Sequence, residues 1–277
     1  MTPGLDAVLS LLACPLCARP LIRADGVVGC AAGHRFDIAR QGHLTLLGRT
    51  SRTDTGDSAD MVAARQQFLD SGHFAPLTRA ILDVAGDGPV LDLGAGTGHH
   101  LQAVVRAGAS GTVGLAIDTS TYAARRAARV HPRVGSVIAD AWSRLPVRDA
   151  SVGTLLSVFA PRDPREIGRM VRPGGRVVVV TPTPEHQAEL RDHITLLAVD
   201  PDKAARLQDA LGPGLTPAGA IDVRHAMRLS REDVDRLIRM GPSAYHRSAE
   251  EREGVIARLD ELTVVTLAVT VSVFTRP

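Results

Sequence analysis

LDLGAGTGHH, residues 91–100, is the stretch on which the reading of the fold turns. Val90-Leu91-Asp92-Leu93 is a short apolar run that reads as a buried strand, and Gly94, Gly96 and Gly98 follow it at once. Glycines at such a turn permit positive φ and let a ligand come close to the backbone. The spacing is not that of a dinucleotide loop. G-x-G-x-x-G would put its third glycine at residue 99, where this chain has His99, so the third glycine comes one position early. Asp92 sits two residues before the loop, and a helix is expected over about 99–107.

Outward from this loop, strands and helices alternate. TVGLAID (112–118), GSVIAD (135–140), SVGTLLSVF (151–159) and GRVVVVT (175–181) read as strands two to five. Helices TYAARRAARV, PREIGRMVR and PEHQAELRDHI lie between and after them. That rhythm predicts a parallel, doubly wound α/β sheet. The end differs: AIDVRHAMRL (220–229) and LTVVTLAVTVSVF (262–274) read as strands flanking helix REDVDRLIRM, the last strand antiparallel. Upstream, RTSRTDTGDSAD (49–60) reads as a polar linker. Asp57 or Ser58 can cap a helix over 59–71 with Met61, Phe68 and Leu69 on its apolar side, and a second helix follows over roughly 75–85.

A chain of 277 residues can form one large domain or two unequal ones. Its hydrophobic content is near average, and no apolar run approaches the roughly 18–20 residues that span a bilayer, so a soluble protein is expected. The start, MTPGLDAVLSLLACPLC, lacks a basic n-region and carries Asp6, and reads as a structured lead-in rather than a signal peptide. The cytoplasm, with reduced thiols, is therefore the expected compartment. A net charge of +2 does not announce a nucleic-acid partner. Between residues 14 and 52, however, Arg19, Arg23, Arg35, Arg40, Arg49 and Arg52 face only Asp25 and Asp37.

All three cysteines of the chain fall in that same region, as CPLCARPLIRADGVVGCAAGH, residues 14–34. Cys14-Pro-Leu-Cys17 forms a tight turn, and Cys30 and His34 supply a second. Three thiolates and one imidazole suit a tetrahedral Zn²⁺. LIRADGVV reads as a hairpin around Asp25-Gly26 that brings the two turns together. The rival, a redox C-x-x-C, lacks a surrounding βαβ unit, and an odd cysteine count argues against a disulfide framework. Four protein ligands leave no open position, so the zinc is expected to be structural.

The loop and its neighbours resemble the class I S-adenosylmethionine-dependent methyltransferases. The likeness rests on Asp92-Leu-Gly-Ala-Gly-Thr-Gly98, on Asp118 ending GLAID, on Asp140 in IADAW, and on Arg172-Pro-Gly-Gly-Arg176 before strand five. It implies a Rossmann-like, doubly wound sheet that binds S-adenosylmethionine, with Asp118 on the ribose hydroxyls and Asp140 beside the adenine. GHRFDIARQGHLTLL (33–47), GDSADMVAARQQFLDSGHFAPL (56–77), VFAPR (158–162), TPTPEHQAEL (181–190) and MGPSAYH (240–246) narrow the likeness. Together with the zinc module, the chain resembles the 23S rRNA (guanine-N1)-methyltransferases, including the tylosin-resistance enzymes of actinomycetes.

That resemblance implies methylation of a guanine in the helix 35 hairpin loop of 23S rRNA by a cytoplasmic homodimer with no membrane partner. It implies three parts: residues 1–48, a zinc-binding RNA-recognition module; 49–87, a linker and helices; and 88–277, the methyltransferase domain. Gly96 and Thr97 fall at the cofactor loop. Phe74 stands where the family often has Tyr, and His186 matches a family histidine near the cofactor. Phe159 and Pro161, at the end of strand four, are placed to stack on a base drawn out of its hairpin. Arg19, Arg23, Arg35 and Arg40 could hold the surrounding phosphates. Asp140 and His186 are the candidates for a general base, and neither carries a motif that decides the matter. A small-molecule methyltransferase and a catalytically inactive zinc-ribbon RNA-binding protein remain as alternatives.

Overall fold

The computed structural model describes residues 3–24, 26–48, 56–160, 163–191, 209–212, 214–241 and 249–277. In chain order its elements are α1 (Pro3–Val8), β1 (Leu21–Ala24), β2 (Val27–Cys30), β3 (Arg35–Phe36), β4 (Leu44–Thr45), α2 (Ala59–Asp70) and α3 (Ala75–Val84). There follow β5 (Val90–Leu93), α4 (His99–Ala107), β6 (Gly114–Asp118), α5 (Thr121–Ala127), β7 (Val134–Ile138), β8 (Val152–Val158), α6 (Pro164–Met170) and β9 (Val171–Pro182). The last are α7 (Ala188–Arg191), β10 (Thr216–Ser230), α8 (Arg231–Arg239), α9 (Ala249–Ile256) and β11 (Leu262–Thr275).

Eight strands form one sheet in the order β10-β11-β9-β8-β5-β6-β7-β4. The pairs from β9 through β4 are parallel, and β11 runs antiparallel to both β9 and β10. This is the expected class I methyltransferase sheet. Strand order reverses between β5 and β8, which start adjacent crossovers in opposite directions and open a crevice at the strands' carboxyl ends. The parallel strands are apolar on both faces, as helices on either side require: β5 and β7 are buried at every position. Ser58 caps α2 by accepting from the Met61 N–H, and α2 buries Met61, Phe68 and Leu69 as expected.

Two expectations change in detail. The helix read into PEHQAELRDHI is confined to Ala188–Arg191 among the described residues, because 183–187 form a turn in which the His186 N–H bonds the Thr183 carbonyl. Strand five begins earlier, at Val171, and runs through the Arg-Pro-Gly-Gly-Arg stretch.

The N-terminal residues are woven into the sheet. β4 pairs with the edge strand β7 in the register Leu44↔Val137 and Thr45↔Ile138. Leu12 bridges Val147, and α1 lies on β7. That contact is so close that a Cβ on Gly4 would stand 2.0 Å from the Val134 carbonyl oxygen, and one on Gly135 2.2 Å from a Val8 methyl. Cys14, Leu21, Val28 and Cys30 belong to the same apolar cluster as Leu91, Leu93, Val137 and Val147. Among the described residues, no helix is long and apolar enough to cross a membrane.

Candidate active site and metal centre

The metal centre is assembled by two backbone knuckles and a hairpin. In the first knuckle the Ala18 N–H bonds the Cys14 carbonyl at 2.8 Å, with Ala18 at φ +59°. In the second, the Gly33 N–H bonds the Cys30 carbonyl at 2.9 Å. β1 and β2 pair antiparallel from Leu21↔Cys30 to Ala24↔Val27, which carries Cys30 back to Cys14 and Cys17. Gly26 of the expected turn has φ +79°, and Asp25 lies outside the described residues.

Cys14, Cys17, Cys30 and His34 bring their ligand atoms within 4.8 Å of one another. Cys17 Sγ lies 3.6 Å from Cys30 Sγ, and His34 Nδ1 lies 3.4 Å from the sulfurs of both Cys14 and Cys30. A zinc tetrahedron with Zn–S of about 2.3 Å and Zn–N of about 2.0–2.1 Å has edges of about 3.5–3.8 Å. The set fits structural zinc, held through His34 Nδ1. Burial pushes the Cys14 thiol up to about 11. At Cys30 burial acts the same way, but hydrogen bonds from the N–H groups of Ala32 and His34, and with the Cys17 and His34 side chains, outweigh it and lower the thiol to about 6.

The residues expected to hold the cofactor gather where the parallel strands end. Gly94, Gly96 and Gly98 all have positive φ, +67°, +54° and +78°. The Gly96 N–H donates to Asp118 Oδ2 and the Ser120 N–H to Asp118 Oδ1, both at 2.8 Å, so the acid that ends β6 also braces the loop. Burial raises the Asp118 pKa, while those two N–H groups oppose the rise. Asp140, two residues beyond β7, accepts from the Trp142 N–H at 2.9 Å and from Ser143 Oγ at 3.0 Å. Asp92 is wholly enclosed; burial, and then the charge of Asp118, push its carboxyl up to about 8. Asp92 Oδ1 and Thr97 Oγ1 are buried without a hydrogen-bond partner. Orphaned buried polar atoms just before and within a glycine loop are what a polar ligand would satisfy, so these residues fit S-adenosylmethionine.

Phe159 directly follows β8 and holds φ +55°, a strained value for a bulky side chain. Its ring stacks on His186 at 5.7 Å and meets Phe74 at 6.4 Å. Phe159 is 43% exposed, so one face of this aromatic group opens outward. The chain then turns over the loop: a Cβ on Gly94 would stand 2.6 Å from Ala160 Cβ. The aromatic group and the glycine loop thus share one mouth. Pro161 lies outside the described residues.

His186 accepts the Ala268 N–H at Nδ1, 3.2 Å away, and burial lowers its pKa to about 4. Its other ring nitrogen, Nε2, lies 3.1 Å from the side-chain amide nitrogen of Gln187. Both Asp140 oxygens already accept hydrogen bonds.

On the zinc module Arg19, Arg35 and Arg40 are exposed. Arg23 is engaged: it pairs with Asp6 of the lead-in at 2.6 Å. Ile22, 61% exposed, lies across Gly29 from Arg35 on the outer face of the β1–β3 ribbon. Sequence reading missed three features. Arg65 of α2 reaches the cofactor loop, with Asp57 as its ion-pair partner. Trp142, 61% exposed, stands on the turn that caps Asp140. Tyr122, with Arg125 5.7 Å above its ring, makes a basic aromatic face on α5; the signal for that face was a stretch, Thr119–Ala139, with four arginines and no acid.

Comparison with known proteins agrees with both halves of this arrangement. The family model described as "RlmA, N-terminal", a zinc ribbon, matches residues 12–50, and a "Methyltransferase domain" model matches 91–179. The chain is 45% identical over 273 residues to the 23S rRNA (guanine(748)-N(1))-methyltransferase of Streptomyces fradiae, covering 96% of this chain and 97% of that protein. It is 46% identical over 286 residues to a Micromonospora griseorubida protein assigned as a 23S rRNA (guanine-N(1)-)-methyltransferase, covering 95% and 96%. In fold it is similar to a Bacillus halodurans C-125 protein whose crystal structure was assigned as a methyltransferase. The TM-score is 0.51 and the identity 16%, with 72% of this chain and 97% of that chain covered.

Proposed function

The chain belongs to the 23S rRNA (guanine-N1)-methyltransferases, and on that premise we propose that it methylates N1 of guanine 748 in the helix 35 hairpin loop. The position is that of the Streptomyces fradiae relative's name. The observation that carries the reading is the shared mouth: the aromatic group of Phe74, Phe159 and His186 opens beside a glycine loop whose orphaned acceptors await a polar cofactor.

S-adenosylmethionine supplies an activated methyl group on a sulfonium. Gly94, Gly96, Gly98, Thr97, Asp92, Asp118 and Asp140 would hold it. Guanine N1 carries a proton that must leave as the N–CH₃ bond forms. That proton passes to solvent water, and the chain contributes by orientation. Fixing nitrogen, methyl and sulfur in line converts much binding energy into rate. Phe159 offers its exposed ring to the extruded base, which offsets part of the few kcal/mol that unstacking costs.

Residues 1–48 act as the RNA-recognition module, with Arg19, Arg35 and Arg40 on phosphates and Arg23 held by Asp6. The enzyme works in the cytoplasm as a homodimer and gives resistance to tylosin-type macrolides. The test is incubation with labelled S-adenosylmethionine and unmodified 23S rRNA, followed by primer extension. A stop at guanine 748 is expected, because N1 methylation blocks pairing. Label elsewhere in the rRNA, or none, would refute the assignment.

A further inference from the structure

Arg65 stands on α2, outside every motif that defines the cofactor loop, yet its side chain enters the site. A Cβ on Gly96 would lie 3.4 Å from both Arg65 Cδ and Arg65 Nη1. The space left open by the middle glycine is thus faced by a guanidinium. Of the groups that crowd the three loop glycines (Ala160, Arg65, Val130 and Ala127), only Arg65 is charged.

The guanidinium is also aimed. Nη1 donates to Asp57 Oδ2, and Nη2 donates to the Met240 carbonyl at 2.7 Å. Asp57 is itself tied down, since its carbonyl accepts from Ser120 Oγ at 2.6 Å. At the preceding position there is no room for a side chain: a Cβ on Gly56 would stand 2.9 Å from Ser120 Cα. Three distant parts of the chain therefore orient one side chain that is only a quarter exposed. Arginine has five N–H donors, and these two bonds leave three.

We propose that Arg65 binds the α-carboxylate of S-adenosylmethionine. This rests on the reading of the loop as the cofactor site. The cofactor has one anionic group, and a donor-only planar fork is its natural partner. The ribose hydroxyls need acceptors instead, and Asp118, bonded to the Gly96 N–H, provides them. Asp57, the ion-pair partner of Arg65 in the cofactor-free protein, is the anion that the incoming carboxylate would displace.

Calorimetry with two ligands on the full-length protein separates this from a structural role. Methylthioadenosine has the adenosine and a thioether sulfur but no amino-acid group. Arg65→Ala should weaken S-adenosylmethionine binding by about ten- to a hundredfold, the size of a lost charge-assisted hydrogen bond or two, and change methylthioadenosine binding by less than about twofold. Asp57→Asn keeps the guanidinium and removes a competing anion, so S-adenosylmethionine should bind at least as tightly as to the wild type. If Arg65→Ala does not fold, Arg65→Lys carries the test: charge without the fork should cost S-adenosylmethionine alone about three- to tenfold. Equal weakening of both ligands would mean that Arg65 acts on Asp118 and the ribose, and would overturn the assignment. So would unchanged binding of both, or a loss in Asp57→Asn matching that in Arg65→Ala. A wild-type protein that binds neither ligand would instead overturn the cofactor reading itself.

Discussion

Replacing Asp92 by Asn should make the cofactor-free protein more stable, and by an amount that grows with pH. Asp92 lies inside β5, wholly enclosed, with Oδ1 unpartnered and its carboxyl pushed up to about 8 by burial and then by Asp118. In the unfolded chain it titrates at 3.8. The folded pKa is raised, so folding takes up a proton throughout the interval between the two values. The penalty is absent below about pH 4, grows through the window from pH 4 to pH 8, and is constant above it. At pH 7 it reaches at most about 4 kcal/mol, at roughly 1.4 kcal/mol per pH unit. Asn is close in shape and never charged, and it leaves the same orphaned acceptor. The variant should therefore gain about 1–4 kcal/mol at pH 7, or very roughly 2–16 °C in Tm for a chain of this size. Urea melts of both proteins without cofactor at pH 5, 6, 7 and 8 read this directly. The gap between the two curves should widen as pH rises. A gap independent of pH, or a variant less stable at every pH, would refute the view that a buried carboxyl is held neutral there.

Cys30→Ser should lose the zinc and also lower the stability of the whole protein, because Cys14 and Cys30 share a core with the central sheet; a melt with an unchanged main transition and no bound zinc would contradict this. Arg19→Ala with Arg35→Ala should weaken rRNA binding and reduce the log–log salt slope by about 0.7–0.9 per lost phosphate contact, whereas Arg23→Ala, already paired with Asp6, should change the slope less. Filter binding across a salt series distinguishes them, and equal slopes for all three proteins would count against the module as an RNA grip. Phe159→Ala should lower the methylation rate by about tenfold or more, from lost base stacking of about 1–3 kcal/mol, and leave S-adenosylmethionine affinity within about twofold. Rate and affinity falling together would place Phe159 on the cofactor instead.

What the sequence made legible was what is local. Four-residue apolar runs each followed by a turn, such as Val90–Leu93 before Gly94, announce parallel strands without help from the rest of the chain. The zinc set was legible for the same reason, since Cys14, Cys17, Cys30 and His34 lie within one hairpin. What escaped depends on distant pairing. A two-residue strand such as β4 has no periodicity to detect, and only its partner β7 makes it a strand. Within the stretch read as a linker, 49–60, Gly56 and Asp57 make contacts with Ser120 and Arg65 that no local pattern encodes. Arg23 counted as a free cation until Asp6 came beside it. For His186 the residue type suggested a base, while its contact with the Ala268 N–H across the sheet is one that no local pattern encodes.

The pairing of β4 with β7 also orders events on the ribosome. Leu44 meets Val137, and Leu12 meets Val147. The N-terminal hairpin emerges first and has all four metal ligands in hand by residue 34. Its apolar underside, Leu21, Val28 and Cys30, can meet Leu5, Val8, Leu11 and Leu12 at once, but the sheet that completes the cluster needs some hundred further residues. At about 5–20 residues per second, that interval lasts roughly 5–20 s. Metal capture during those seconds would hold the hairpin in shape while its docking partner is still being synthesised. Zinc supply should therefore govern the yield of folded protein during synthesis more strongly than it governs the persistence of protein already folded.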